Sequence, residues 1–232
     1  LRKNLFNGHT CLPRDKFVSV ACRLLECKES TVEICIDRLR ECFQIRTENA
    51  DGSEYLSLPD YYDAEQHIAA RLLAVKKFIN TSVTVDDLEI QNVERKLGIE
   101  FENLQRKAIF EAFQSGILVL TGGPGTGKTT TLNAIIKLFE NRDLEIELAA
   151  PTGRAAKRMT ELTGREAKTI HRLLEVEWGE GDKPIFTRNE KNPLNCDVII
   201  VDEASMMDAI LFDSLLKALR LSCRIILVGD SD

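Results

Sequence analysis

The stretch Gly122-Gly123-Pro124-Gly125-Thr126-Gly127-Lys128-Thr129 decides the fold of this chain, together with the segments on either side of it. It follows an apolar run at residues 117–120 and opens a helix-compatible run that extends to residue 139. A buried strand, a glycine-rich turn and a helix in this order are typical of a phosphate-binding loop. The glycines let consecutive backbone N–H groups face phosphate oxygens, and the helix dipole favours the same anion. The segment therefore predicts a nucleoside triphosphate site.

Individual residues of this loop have distinct expected uses. Lys128 supplies a positive charge to the outer phosphates, and the hydroxyl of Thr129 can bind Mg²⁺. The predicted cofactors are ATP and Mg²⁺. The predicted nucleotide-binding residues of the loop are Gly123, Pro124, Gly125, Thr126, Gly127, Lys128, Thr129 and Thr130. The alternative is a glycine-rich turn that carries a lysine by chance.

A second motif, at residues 198–203, is a short apolar run that ends in two carboxylates. Such a run is typical of a parallel strand buried on both faces, and open α/β sheets bind their ligands at the carboxyl ends of such strands. We expect Asp202 to bind the Mg²⁺ that Thr129 also binds, and Glu203 to orient and deprotonate the attacking water. Lys128, Asp202 and Glu203 are thus the predicted catalytic residues, and the pattern favours hydrolysis over binding alone.

An acidic helix cap is the alternative interpretation of the same carboxylates. Asp202 or Ser205 could cap a helix that begins near Met206, because short polar side chains accept hydrogen bonds from the first N–H groups of a helix.

Composition restricts the class of protein. The chain has 232 residues, is 44% hydrophobic and 29% charged, and carries a net charge of −6, which is typical of a globular protein of one or two domains. No apolar run approaches the roughly 18 residues of a membrane helix, and the amino terminus lacks a secretory signal. We therefore expect a cytoplasmic protein without a membrane partner. The chain does not begin with Met and its last residue, Asp232, follows a predicted strand, so we expect a segment of a longer polypeptide.

The seven cysteines form no CxxC pair. In a cytoplasmic chain they are expected to be reduced thiols that pack as small apolar residues. A zinc site built from the five amino-terminal cysteines and His9 is the alternative, but no spacing matches a known zinc motif. We predict no structural metal.

The amino-terminal part of the sequence predicts a small α+β module. Apolar residues recur at helical spacing over residues 17–25, and Ser30 with Glu33 predicts a capping box for a second helix. Alternating strands follow at residues 43–47 and 55–58, on either side of the turn signal Asp51-Gly52. Two helices and a hairpin suggest a winged-helix-like module. Its second helix carries charges of both signs, which favours a packing or partner role over base reading.

The rest of the chain predicts helices followed by a doubly wound parallel sheet. Helices are expected at about residues 61–80, at 86–97, and from a cap at Asn103. The predicted strands are residues 117–121, 145–150, 197–201 and 224–229, and the later helices are residues 128–139, 154–162, 169–175 and 208–221. The polar segment between Val176 and Asn195 is expected to be a long loop or a hairpin insertion.

Several segments resemble superfamily 1 DNA helicases of the RecD type. They are Phe101-Glu102-Asn103-Leu104-Gln105, Ala149-Ala150-Pro151-Thr152-Gly153-Arg154-Ala155-Ala156, Thr169-Ile170-His171-Arg172-Leu173-Leu174 and Val228-Gly229-Asp230-Ser231-Asp232. The resemblance extends over nearly the whole chain and is strongest from Phe101 onward. It implies a winged-helix-like module at residues 1–60, a helical connector at 61–98 and a truncated first RecA-like motor domain at 99–232.

The resemblance also implies an activity, namely an ATP-dependent DNA helicase or translocase on single-stranded DNA. It assigns adenine recognition to Gln105 and DNA contacts to Pro151, Thr152, Arg154 and His171. A second motor domain of the same polypeptide would supply arginines to the transition state, so this segment alone is expected to hydrolyse ATP very slowly. Any protein partner stays unspecified.

The residues themselves support a DNA-binding surface on an acidic chain. Between Gly153 and Arg172 six basic residues stand against two acidic ones, and a local basic strip suits a polyanion. Two other classes stay open. A different remodelling ATPase with a phosphate loop would lack the DNA segments, and a recruitment module switched by nucleotide would bind its partner through the amino-terminal helices and hairpin.

Overall fold

The computed structural model describes residues 1–5, 8–79, 84–123, 125–179 and 184–230. Within it the chain divides into two compact units, Leu1–His67 and Ile68–Asp232. Some residues that carry predictions lie outside the described ranges, namely Asn80, Pro124, Ser231 and Asp232. No helix in the described ranges combines the length and the apolar character needed to cross a membrane.

The first unit has the helix, helix and hairpin order that the sequence predicts. Its elements are α1 (Arg2–Leu5), β1 (Cys11–Pro13), α2 (Arg14–Leu25), α3 (Glu29–Glu41), β2 (Arg46–Ala50) and β3 (Ser53–Ser57), followed by α4 (Pro59–Phe78), which continues into the second unit. The strands form an antiparallel sheet in the order β1-β3-β2. The strand β1 was not predicted, because three residues are too few to show an alternating pattern. A small core of Val18, Val32, Ile36, Ile45 and Leu56 holds the helices to the sheet.

Two local predictions in this unit are wrong. The helix α3 begins at Glu29, so Ser30 lies inside its first turn and the capping box at Ser30 and Glu33 does not form. The strand predicted at residues 43–47 begins only at Arg46, because Phe43 has a φ of 56° and interrupts the extended backbone. Asp51 and Gly52 do form the turn between β2 and β3, with φ angles of 51° and 76°, as a two-residue hairpin of type I′ requires.

A charged side chain on α3 forms an ion pair within the first unit. Arg14 on α2 donates to Glu33 on α3 and, at 2.5 Å, to Oε2 of Glu54 on β3. These two carboxylates raise the pKa of Arg14 above its ordinary value. Glu33 therefore takes part in packing α3 against its neighbours, which agrees with the preference for a packing role of this helix.

The second unit is an α/β domain, and the predicted fold class is confirmed. The elements that precede the phosphate-binding loop are α5 (Asp87–Leu97), α6 (Asn103–Gln114) and β4 (Ile117–Thr121). The elements after it are α7 (Lys128–Glu140), β5 (Ile146–Ala150), α8 (Gly153–Thr163), β6 (Ala167–Thr169), α9 (Ile170–Leu173), β7 (Val176–Trp178), β8 (Pro184–Phe186), β9 (Val198–Val201), a 3₁₀ turn (Ala204–Met206), α10 (Ala209–Ala218) and β10 (Arg224–Gly229).

Five parallel strands form the main sheet in the order β4-β10-β9-β5-β6. The four predicted strands are present within one residue of their expected bounds. The edge strand β6 was missed, and its last residue, Thr169, was assigned to the following helix. That helix is therefore shorter than predicted, and Thr169 caps it by accepting a hydrogen bond from the N–H of Arg172 at 3.2 Å. The strands β7 and β8 form an antiparallel hairpin, which confirms the hairpin insertion.

The central strand β9 organises the core, because all four of its residues have no measurable exposure. Val198 and Ile200 belong to the apolar cluster that contains α6 and α7, including Phe113 and Phe139. Ile199 and Val201 belong to the cluster on the other face, which contains α10. This alternation covers both faces of the strand and leaves its carboxyl end, at Asp202, as the place where polar groups emerge.

Part of the predicted connector packs into the core of the second unit. Val75 on α4 is 1% exposed within the cluster that contains α10, and Ile90 and Val93 on α5 lie in the cluster that contains α7. Asp86 caps α5 and forms a capping box with Glu89. The boundaries 1–60, 61–98 and 99–232 stay a prediction, while the compact units divide after His67.

The cysteines are free thiols. Cys196 and Cys223 are buried at the amino ends of β9 and β10, with their sulfur atoms 3.7 Å apart. The hydrogen bond with Cys196, together with burial, raises the pKa of Cys223 strongly. These two thiols therefore pack as apolar groups, in the way expected for a reduced protein.

Candidate nucleotide and DNA site

The phosphate-binding loop connects β4 to α7, as the sequence predicts. Gly125 and Gly127 have φ angles of 81° and 80°, a left-handed backbone that favours glycine. The hydroxyl of Thr126 donates to the carbonyl of Gly123 at 2.9 Å and closes the loop on itself. The helix α7 begins at Lys128, with Gly127 as its N-cap residue. The free N–H groups of its first turn, where Thr129 and Thr130 lie, are the donors that an anion at this end of the helix uses.

Lys128 extends from the start of α7 back across the loop. Its ammonium group donates to the carbonyl of Gly122, to the carbonyl of Gly123 at 3.5 Å, and to Oδ1 of Asp230 at 2.5 Å. The Lys128 side chain is 19% exposed and that of Asp230 is 56% exposed. Asp230 follows β10, the strand that pairs with β4. The contact between Lys128 and Asp230 was not predicted from the sequence, where Asp230 was named only as part of the RecD-like segment at residues 228–232.

The two predicted catalytic carboxylates lie at the carboxyl end of β9. The N–H of Asp202 donates to the carbonyl of Ala149 at 3.0 Å, which ties this end of β9 to β5. The N–H of Glu203 donates to Oδ1 of Asp202 at 2.9 Å. Glu203 has a φ of 55°, a left-handed conformation that costs a non-glycine residue about 1–2 kcal/mol.

The alternative of an acidic helix cap does not hold. Asp208 caps α10, because its Oδ1 accepts a hydrogen bond from the N–H of Leu211 at 2.8 Å. Ser205 lies inside the 3₁₀ turn, and Asp202 accepts instead from its neighbour Glu203. Neither Asp202 nor Ser205 therefore caps the helix α10.

Gln105 lies beside the phosphate-binding loop. It is the third residue of α6, and its Oε1 accepts a hydrogen bond from the N–H of Glu102 at 3.0 Å. Its Nε2 is 3.5 Å from the carbonyl oxygen of Thr126, and a Cβ placed on Gly127 would overlap this nitrogen. The predicted cap at Asn103 is wrong by one residue, since the N-cap residue is Glu102.

The predicted DNA-binding residues follow strands whose carboxyl ends lie at the same end of the sheet. Pro151, Thr152 and Arg154 come directly after β5, and His171 lies in α9 after β6. The strand β5 pairs in parallel with both β6 and β9, so these residues lie at the same end of the sheet as Asp202.

Each of these residues has a defined local setting. Oγ1 of Thr152 accepts a hydrogen bond from the N–H of Ala155 at 3.2 Å and caps α8, while Arg154 is exposed. The ring of His171 is half-buried and lies 5.9 Å from that of Phe186, centroid to centroid. His171 thus packs against the β7–β8 hairpin.

The basic strip is smaller in the structure than in the sequence. Arg165 pairs with Glu140, and Lys168 is 3.6 Å from Glu147. The exposed cations of this strip are Arg154, Lys157, Arg158 and Arg172, of which Lys157 lies 4.0 Å from Glu161 on the same helix. Cations already paired on the surface offer less to a phosphate, so the available positive charge is concentrated on α8 and α9.

The sequence is similar to known proteins over most of its length. It matches the family described as AAA domain over residues 105–232. It is 35% identical over 237 residues to the ATP-dependent RecD2 DNA helicase of Deinococcus radiodurans, over 97% of this chain and 32% of that protein. It is 36% identical over 206 residues to the RecBCD enzyme subunit RecD of Mycolicibacterium smegmatis, over 77% of this chain and 35% of that subunit. A crystal structure of Bacteroides Pif1 bound to ssDNA shares 25% identity with a TM-score of 0.43, over 57% of this chain and 32% of that one.

The chain spans about a third of the length of the two curated relatives. The AAA-domain match begins at Gln105, the residue that lies against the phosphate-binding loop, and includes both carboxylates at the end of β9. The chain belongs to the AAA-domain family, and it is similar to about a third of RecD2 and of RecD.

Proposed function

We propose that this chain carries the ATP-binding half of an ATP-dependent DNA helicase motor that moves on single-stranded DNA. One observation carries the proposal. All strands of the sheet β4-β10-β9-β5-β6 are parallel, so the residues that follow them lie at one end of the sheet. That end holds the phosphate-binding loop, the carboxylates Asp202 and Glu203, and the Thr152 and His171 segments. Nucleotide and DNA bound at the same end of one sheet would contact neighbouring strands, so a change at one ligand can reach the other through packed residues.

The loop and its neighbours fit MgATP. Thr129 offers a hydroxyl oxygen and Asp202 a carboxylate that the N–H of Glu203 holds in place. Two such hard oxygen ligands suit Mg²⁺ when phosphates and water supply the rest of its coordination. Bound there, the ion would neutralise charge on the phosphates. Lys128 would bind the outer phosphates. The loop residues from Gly123 to Thr130 would donate backbone hydrogen bonds, except Pro124, which has no N–H and would contribute to the shape of the loop.

Glu203 is the proposed general base. Its side chain would orient a water molecule and accept one of its protons as the water oxygen attacks the terminal phosphorus, while the bond to the leaving ADP oxygen breaks. The hydrogen bond from its own N–H to Asp202 orients the carboxylate of Asp202 relative to the backbone of Glu203. Asp202 would bind the metal ion and Glu203 would bind the water. Gln105 would read the adenine edge, because its amide can both donate and accept.

The DNA would contact the residues after β5 and β6. Oγ1 of Thr152 accepts from Ala155, and its hydroxyl proton stays available for a phosphate oxygen. Pro151 and Arg154 flank it, and the amino end of α8 adds positive potential. His171 would contact a base or the backbone at its exposed edge.

Two further elements of the proposal concern the setting of the motor. A second motor domain of the same polypeptide would complete the ATP site with arginine residues, which are worth about 10³–10⁵ in rate in comparable phosphoryl transfers. The free thiols agree with the cytoplasmic location that the sequence favours.

The experiment that tests this function measures single-stranded DNA affinity by fluorescence anisotropy at several salt concentrations. The double variant Thr152→Ala with His171→Ala should weaken binding by about tenfold or more while nucleotide affinity stays within about twofold. The affinity of the parent chain should fall steeply as salt rises, because bound phosphates release counterions.

Thr152→Ser is the matched control, since serine keeps both the helix cap and the hydroxyl, and it should bind DNA like the parent. His9→Ala, an exposed histidine of the first unit, controls for loss of an imidazole. If the double variant binds DNA as the parent does, the helicase proposal fails and another remodelling ATPase takes its place. Thermal unfolding of each variant checks the loss of the α8 cap, which is worth about 1 kcal/mol.

A further inference from the structure

The ammonium group of Lys128 is fully engaged by the protein itself. A lysine has three N–H donors and no acceptor. In the structure they face the carbonyls of Gly122 and Gly123 and Oδ1 of Asp230, and the contact with Asp230, at 2.5 Å, is an ion pair. A phosphate oxygen that binds Lys128 must therefore displace one of these partners.

We propose that Asp230 competes with the nucleotide phosphates for Lys128 and thereby sets the affinity of the site for nucleotide. The inference rests on the proposed function in that it takes the loop to be a nucleotide site. It adds a residue that regulates this site, at a position that is not among the nucleotide-binding residues predicted from the sequence. Asp230 is a positioning residue in this proposal, since it acts through Lys128.

Sheet register fixes Asp230 at the loop. In the parallel pairing of β10 with β4, Gly229 lies opposite Thr121. The next residues along the two strands are Asp230 and Gly122, and Gly122 supplies one of the carbonyls that Lys128 binds. The carboxylate is thus held beside the loop by the backbone of the central sheet rather than by a long flexible side chain.

The two carboxylates on neighbouring strands have different partners. Asp202, after β9, accepts from the N–H of Glu203. Asp230, after β10, pairs with Lys128. Asp202 therefore suits the role of a metal ligand, whereas Asp230 forms an ion pair with Lys128, the cation that the phosphates would bind.

Charge determines the direction of the effect. An incoming polyphosphate is an anion that gains from Lys128 and is repelled by a nearby carboxylate. Binding must separate Lys128 from Asp230 before the full attraction is gained. Removal of the carboxylate charge at position 230 should therefore strengthen nucleotide binding, which is the opposite of what loss of a direct ligand would do.

The test is the affinity of the 232-residue chain for a fluorescent ADP analogue in the presence of Mg²⁺. Asp230→Asn should bind about two- to fivefold more tightly, and fivefold corresponds to about 1 kcal/mol, the upper range for a partly exposed ion pair. Asp230→Ala should shift affinity in the same direction, so the result does not depend on one variant. Far-UV circular dichroism confirms that each variant is folded.

Glu166→Gln is the control for the change in net charge. Glu166 is exposed and precedes the edge strand β6, so it lies at the amino end of a strand three places from β10, whereas Asp230 lies at the carboxyl end of β10. This variant should leave nucleotide affinity unchanged. An equal gain in Glu166→Gln would overturn the proposal, since net charge alone would then explain the effect.

A crystal structure of the parent chain with a non-hydrolysable ATP analogue separates competition from a field effect. Nζ of Lys128 should lie on a phosphate oxygen and beyond about 4 Å, the limit of an ion pair, from Asp230. If Lys128 keeps its contact with Asp230 in that complex, or if Asp230→Asn binds as tightly as the parent or more weakly, the inference fails while the proposed function stands. If the parent and both variants bind no nucleotide, both fail.

Discussion

Three glycines of the phosphate-binding loop allow backbone strain to be separated from side-chain contact. A Cβ added at Gly123 or at Gly125 meets no atom within 4 Å. Gly125 and Gly127 share nearly the same left-handed φ, 81° and 80°. At Gly127, however, the added Cβ would overlap Nε2 of Gln105. Alanine substitution at the three positions therefore adds these effects one at a time.

The expected magnitudes follow from these contacts. Gly123→Ala should change the free energy of unfolding by no more than about 0.5 kcal/mol. Gly125→Ala should cost about 1 kcal/mol, because alanine is disfavoured in a left-handed backbone. Gly127→Ala should cost about 2 kcal/mol, since Gln105 must also move and give up its 3.0 Å hydrogen bond with the N–H of Glu102, which is worth about 1 kcal/mol.

Urea denaturation followed by circular dichroism measures these differences, from midpoints at a common slope. A second arm repeats Gly127→Ala in a Gln105→Ala background, where the overlap is absent. There the cost should fall to that of Gly125→Ala, a non-additivity of about 1 kcal/mol. Equal costs for Gly125→Ala and Gly127→Ala in the parent, or full additivity in the double variant, would refute the reasoning.

The remaining predictions concern the site and one helix cap. In a polypeptide that also carries the proposed second motor domain, Lys128→Ala should abolish steady-state ATP turnover. Glu203→Gln should keep ATP binding and slow turnover by about 10²-fold or more, and normal turnover would remove Glu203 from the role of base. Gln105→Ala should narrow the preference for ATP over GTP by about tenfold, measured by competition binding, whereas an unchanged preference would leave Gln105 only its contacts with α6 and the loop. Asp86→Ala should lower the free energy of unfolding by about 1 kcal/mol through loss of the α5 cap, while Asp87→Ala, an exposed carboxylate 3.5 Å from Arg106, should lower it by less than about 0.5 kcal/mol.

The sequence by itself determined the elements whose signals are local. The order of apolar strand, glycine-rich turn and helix predicted β4, the loop and α7, because each signal lies within a few residues of the next. The run at residues 198–201 predicted a buried strand, and the fully covered β9 confirms it. Asp86 and Gly98 predicted both ends of α5, since helix caps depend on side chains and backbone within one turn.

Only the tertiary structure decided the features that join residues far apart in the chain. The ion pair between Lys128 and Asp230 spans 102 residues of sequence, and it exists because β10 pairs with β4 in one register. The contact of Gln105 with the loop depends on how α6 packs against α7. The short strands β1 and β6 are strands only because a neighbour supplies their hydrogen bonds, β3 for the first and β5 for the second. Three residues carry too little pattern of their own to specify a strand, so pairing with the sheet determines their conformation.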